Sequence, residues 1–163
     1  MKEYWDAYDE NFNIIEGVRL VRGEPVPDGV FHIVGETAVR HKDGTYLIMQ
    51  RDLHKHLGGK WELTAGGSAM QGETPLGCAK RELLEETGIS SEKFTEIKTV
   101  FHKEHHSIYG IYLCETDCDK DIVKLQKGET IAFRWLTGKE LRSMNCDDMA
   151  SDRTMELFSE GLI

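Results

Sequence analysis

A chain of 163 residues with 39% hydrophobic and 30% charged side chains has the size and composition of one globular domain with a full core. Its net charge of −9 excludes the broad basic face that a nucleic-acid polymer requires. No apolar run approaches the ~20 residues of a membrane span. The opening Met1-Lys2-Glu3-Tyr4-Trp5-Asp6 lacks an apolar signal core, so a cytoplasmic location is expected. The cysteines Cys78, Cys114, Cys118 and Cys146 show neither zinc-ligand spacing nor a disulfide framework, and are expected to be reduced thiols.

Tyr4 to Tyr8 alternates aromatic and polar residues as an edge strand does. Asp9 to Asn13 is turn-like and Ile14-Ile15 restarts an extended segment, which predicts an N-terminal hairpin. The loop Gly23 to Gly29 is a connector, because too little chain precedes it to fold alone; residues 1–29 are expected to pack on a single domain of residues 1–163. Val30 to Arg40 reads as the first long strand. Asp43-Gly44 turns the chain into Tyr46-Leu47-Ile48-Met49, an apolar run that suits a buried central strand. Arg51, at its end, is either a contact for substrate phosphates or a solvated strand terminus. Asp52 to Lys60 is a basic loop whose Gly58-Gly59, beside Lys55 and Lys60, suits either an anion or simple mobility. Trp61 reads as a packing anchor leading into Gly66-Gly67, where the backbone is free to approach a metal or phosphate.

Gly67 to Ile89 is the most constrained stretch. Thr74 is suited to cap a helix that starts at Pro75, and Gly88 to close it after Thr87. Glu82 and Glu86 then lie on one face, bordered by Glu85. Like charges at this spacing repel by a few tenths of a kcal/mol per pair, so the cluster has no use to the helix itself. A divalent cation reverses the sign, because hard oxygens suit Mg²⁺ or Mn²⁺. Leu76, Ala79, Leu83 and Thr87 are expected to face inward, with Leu84 beside them.

Beyond it, Phe94 to Phe101 and Ile108 to Cys114 read as strands around the polar turn His102 to His106. The three histidines of that turn are expected to meet substrate or solvent rather than a metal. Asp117 to Gly128 is a charged loop, and Thr130 to Leu136 another strand. Thr137 is suited to cap a helix over Gly138 to Met144, and Met149 to Leu162 reads as a closing amphipathic helix with Met155, Leu157 and Phe158 inward.

The stretch Gly67, five residues, Glu73, seven residues, then Arg81-Glu82-Leu83-Leu84-Glu85-Glu86-Thr87-Gly88-Ile89 resembles the Nudix box at every specified position. The resemblance implies an α/β Nudix fold, an α/β/α sandwich with a mixed β-sheet, and Mg²⁺- or Mn²⁺-dependent hydrolysis of a small-molecule diphosphate, most simply a nucleoside diphosphate linked to another moiety. It implies that Glu82, Glu85 and Glu86 hold the metal with the carbonyl of Gly67, while Glu73 and Arg81 brace the loop. Many members carry a further carboxylate just before a late strand; here that is Glu129, with Glu104 as its rival. The base that activates water is then one of Glu82, Glu85 and Glu129. The Arg51 position also resembles the family pattern.

The N-terminal extension, His32 and the Trp61 segment resemble the branch that includes isopentenyl-diphosphate isomerase. The isomerase needs a cysteine and a histidine where this chain has Gly66 and Ser68, and Glu85-Glu86 is retained, so the nearest likeness is to hydrolases of that branch, with His32 structural. A non-catalytic nucleotide-binding module is a third reading, but such modules usually lose the box carboxylates that this chain keeps. Pro or Tyr specificity marks about fifteen or sixteen residues after the box are replaced by Glu104 and His105, leaving nucleoside triphosphates, nucleotide sugars, ADP-ribose and dinucleoside polyphosphates as substrate classes. The N-terminal strands offer a surface for a second copy, and a homodimer is the default.

Overall fold

The computed structural model describes residues 2–163, the side chains of residues 153 and 154 excepted. The chain begins with a two-stranded antiparallel hairpin, β1 (Tyr4–Tyr8) and β2 (Ile14–Val21), closed by Asp9, whose carboxylate accepts the N–H groups of Asn11 and Asn13 at 2.8 and 2.9 Å. The main sheet contains β3 (His32–His41), β4 (Thr45–Arg51), β5 (Trp61–Glu62), β6 (Thr64–Ser68), β7 (Phe94–His102), β8 (Ser107–Thr116) and β9 (Thr130–Thr137). The helices are α1 (Pro75–Thr87), α2 (Gly138–Arg142) and α3 (Asp152–Ser159).

The sheet is mixed. β3 runs parallel to β8 from His32↔Ser107 to His41↔Thr116, and the other pairs are antiparallel. β3 meets β4 only near Arg40↔Tyr46; farther along, β6 takes that edge of β3 from Val34 to Ala38, while β4 turns to pair with β9. The sheet thus divides, and the loops after β4 and before β9 come to face the end of β6. Neither β5 nor β6 was expected as a strand from the sequence.

Successive strand residues point to opposite faces, and this sorts the core into two layers. Ala38, Ile48, Ile111 and Leu113 pack toward Leu141, Leu157 and Phe158 of α2 and α3. Their neighbours Val39, Leu47, Met49 and Cys114 pack toward Leu83 of α1 and Ile89. The result is the expected α/β/α sandwich as a single domain. Among the described residues no helix is long and apolar enough to cross a membrane.

Two expectations need correcting. The closing helix begins at Asp152, not Met149, because Met149 bridges Trp61 beside β5 and Ala150 donates its N–H to the Trp61 carbonyl at 2.8 Å. On α1, Leu76 and Leu84 are exposed, and the buried residues are Cys78, Ala79, Leu83, Glu86 and Thr87. The helix sits on β3 at Gly35, where a Cβ would lie 2.6 Å from the Ala79 nitrogen and 2.8 Å from the Pro75 carbonyl. Such close approach selects the small side chains of the helix for the contact, and with them turns Glu86 inward.

Candidate active site

The box helix forms by local rules. Thr74 Oγ1 accepts the N–H of Gly77 at 3.0 Å, Pro75 occupies the first turn, and Gly88, at φ 72°, returns its N–H to Leu84. The loop that enters it is tied down by Arg81. That guanidinium grips Glu73 with two bonds of 2.9 Å, reaches the Ser68 carbonyl at 3.2 Å, and donates to Glu82 at 2.7 Å and Glu85 at 3.2 Å. Burial works to raise the Glu73 carboxyl, but its bonds from Arg81 and from the Met70 N–H outweigh that and hold it below the usual range. Gly67 lies directly over the helix, and a Cβ there would collide with the Glu82 carboxylate.

Between the end of β6, the helix and the loops of the divided sheet lies a polar cleft of about 350 Å³. Its walls bear Gly67, Glu82, Glu85, Glu86 and Glu129, together with Lys55. Lys55 is ion-paired with Glu129. Glu86 is only 6% exposed. Burial, and then the negative charges of Glu82, Glu62 and Glu129, push its carboxyl up to about 8 against the smaller pull of Lys55. Among the described residues Glu86 has no hydrogen-bond or ion-pair partner. Burial is also the chief reason that the Glu82 carboxyl is raised.

The carboxylates of Glu82, Glu85, Glu86 and Glu129 line one cleft and are hard oxygen donors of the kind that suits a divalent cation, with Arg81 and Lys55 set among them. Among the described residues no three acidic, histidine or cysteine side chains are drawn around a single point. Instead the Arg81 guanidinium stands between Glu82 and Glu85, a positive group in the place a metal charge suits. The Gly67 carbonyl accepts the Cys78 thiol at 3.2 Å.

Gly67, Glu73, Arg81, Glu82, Glu85, Glu86 and Glu129 are therefore brought together at or beside one cleft. Arg51 lies apart from its lining; the guanidinium pairs with Glu62 and donates to the His56 carbonyl at 2.8 Å. Glu104 lies on the 3-10 turn Lys103–His105, outside the cleft. His32 is buried, stacked on Trp5 with ring centroids 4.2 Å apart and joined to Ser107 at 3.0 Å. His102 and His105 stack on each other, and His106 meets the Val30 carbonyl.

Sequence reasoning missed Glu62, Glu3, Arg22 and Gln126. The first enters through its ion pair with Arg51 and its negative charge near Glu86, which only the tertiary structure brings about. The others reach the cleft only through long-range docking.

The NUDIX domain family model matches residues 33–158. The chain belongs to the Nudix family. An uncharacterised Nudix hydrolase of Listeria monocytogenes is 32% identical over 144 residues, covering 87% of this chain and 84% of that protein. An 8-oxo-dGTP diphosphatase of Proteus vulgaris is 43% identical over 61 residues, covering 37% of this chain and 54% of the relative. A crystal structure from Deinococcus radiodurans superimposes with a TM-score of 0.76 at 19% identity, covering 97% of this chain and 98% of that one. The protein is accordingly a Nudix pyrophosphohydrolase.

Proposed function

We propose that this Nudix hydrolase uses Mg²⁺ or Mn²⁺ to cleave the diphosphate bond of a nucleoside diphosphate linked to another moiety. The observation that carries the reading is Glu86, a buried carboxylate among further carboxylates in a polar cleft, with no lysine or arginine ion-paired to it among the described residues. Glu82, Glu85 and Glu86, with the Gly67 carbonyl, would hold the ion, and Glu73 and Arg81 keep the loop in register with the helix. When bound, the ion supplies Lewis-acid stabilisation of phosphate charge and a lowered pKa for water.

The residues of the chain do the rest. Lys55, on the opposite wall from the helix, offers its ammonium to a phosphate oxygen in exchange for Glu129. One of Glu82, Glu85 and Glu129 accepts the proton of the attacking water, since all three face the cleft. Arg51 acts on the site indirectly, by neutralising Glu62 behind Glu86. The partner is a small molecule, and pairing of two copies through the N-terminal strands belongs to the same reading.

The test is a panel of nucleoside triphosphates, nucleotide sugars, ADP-ribose and dinucleoside polyphosphates with Mg²⁺ or Mn²⁺, scored by phosphate or nucleotide release, with isopentenyl diphosphate as the isomerase control. Glu86→Gln should lose at least about 100-fold in turnover while keeping its fold. Undiminished turnover in that variant, or release from no member of the panel by the natural protein, overturns the proposal.

A further inference from the structure

The hairpin β1–β2 precedes the part of the chain matched by the Nudix family model, yet it reaches the cleft. Its pairing of Tyr4 with Val21 sets Glu3 opposite Arg22, and both line the same cavity as Glu82, Glu85 and Glu86. Arg22 Nη1 pairs with Glu3 Oε2 at 2.9 Å, while Glu3 Oε1 accepts the Trp5 indole N–H at 3.1 Å. Trp5 is itself buried against His32. The hairpin is fastened to the box loop: Gln71 donates its N–H to the Tyr4 carbonyl at 2.9 Å, and Gly72 to Asp6 at 2.6 Å. Arg22 is therefore held in a fixed place relative to the carboxylate cluster.

The three cations of the cleft differ in how free they are. The Arg81 side chain is 20% exposed and is committed to Glu73, Glu82 and Glu85. Lys55 is 28% exposed and paired with Glu129 beside the carboxylates. Arg22 is 65% exposed with one carboxylate partner, so it exchanges Glu3 for another anion at the lowest desolvation cost. A planar guanidinium is also suited to bidentate contact with phosphate.

We propose that Arg22 is a substrate-binding residue, which receives a phosphoryl group lying beyond the diphosphate held at the box. The inference rests on the proposed diphosphate chemistry and narrows it to substrates carrying at least one further phosphoryl charge on the hairpin side. Glu3 is the competitor that holds Arg22 in position and yields it when such a group arrives.

The experiment is calorimetric binding of inorganic diphosphate and inorganic tripolyphosphate to the full chain in excess Mg²⁺. The natural protein should bind tripolyphosphate about tenfold more tightly than diphosphate. Arg22→Ala should erase that preference while leaving diphosphate affinity within about twofold, Arg22→Lys should restore part of it, and Glu3→Gln should strengthen tripolyphosphate binding severalfold. No preference in the natural protein, an unchanged preference in Arg22→Ala, or equal loss for both ligands overturns the proposal. Mg²⁺ affinity in the absence of phosphates, measured on the same variants, should be unchanged. An inactive hydrolysis panel would sink the diphosphatase reading without altering this comparison, and the reverse also holds.

Discussion

The thiol of Cys78 donates to the carbonyl oxygen of Gly67 at 3.2 Å, from a side chain with no solvent exposure. One turn of α1 thereby holds the backbone oxygen that is proposed as a metal ligand. The thiol is pushed up to about 12, chiefly by burial, so it is a donor throughout the accessible pH range.

Cys78→Ala removes that donor and leaves a small void. Outer partners of metal ligands typically contribute tenfold or more to affinity. We expect Mn²⁺ affinity, read by calorimetry, to fall about tenfold, with Cys78→Ser recovering part of the loss because a hydroxyl also donates. Equal affinities in all three proteins would dissociate the thiol from the site.

Two glycines should respond to alanine in opposite ways. At Gly67 the added methyl meets the flexible end of Glu82, so the fold survives while a proposed ligand is displaced. A misplacement of this kind costs on the order of 100-fold in turnover. At Gly35 it meets the backbone of Pro75 and Ala79, and α1 must lift from the sheet, at a cost of about 1–3 kcal/mol or more. Denaturant midpoints and hydrolysis rates on the two variants separate the effects; a stable Gly35→Ala protein would contradict the close contact.

Glu86 is costly to the metal-free protein, since its burial and three neighbouring carboxylates oppose its charge. Glu86→Gln keeps the shape and removes the charge, so at pH 8 to 9 the metal-free variant should be more stable by about 1–3 kcal/mol. Saturating Mg²⁺ should raise the melting temperature of the natural protein far more than that of the variant. A variant less stable than its parent without metal would mean that Glu86 has a stabilising partner.

His32 should make the protein acid-sensitive. Burial lowers its basicity below the ordinary imidazole value, opposed by the Ile33 carbonyl and reinforced by His106. The unfolded chain takes up the proton near pH ~6.5, the folded chain only at lower pH. In between the unfolded state binds more protons, so stability falls as pH drops below about 6.5. In a comparison of denaturant midpoints from pH 7.5 to 5, His32→Phe should lose less stability than the natural protein. Parallel profiles would remove His32 from the account.

The residues of a single turn or helix were readable without coordinates. Thr74, Pro75 and Gly88 bound α1 because caps depend on neighbours in sequence, Thr137 caps α2 for the same reason, and Asp43-Gly44 closes its hairpin. The spacing of Glu82, Glu85 and Glu86 fixed their relative angles on the helix, and the box pointed to the family. What spacing cannot fix is the rotation of a helix against its sheet. Gly35 decided that, exposing Leu76 and Leu84 and burying Glu86. The same holds for Arg51, drawn to Glu62, and for Arg22, carried into the cleft by a hairpin bound to a loop some fifty residues later in the chain. Local hydrogen bonding is written in adjacent residues, whereas the electrostatics of this cleft depend on which distant segments packing brings within a few ångströms of one another.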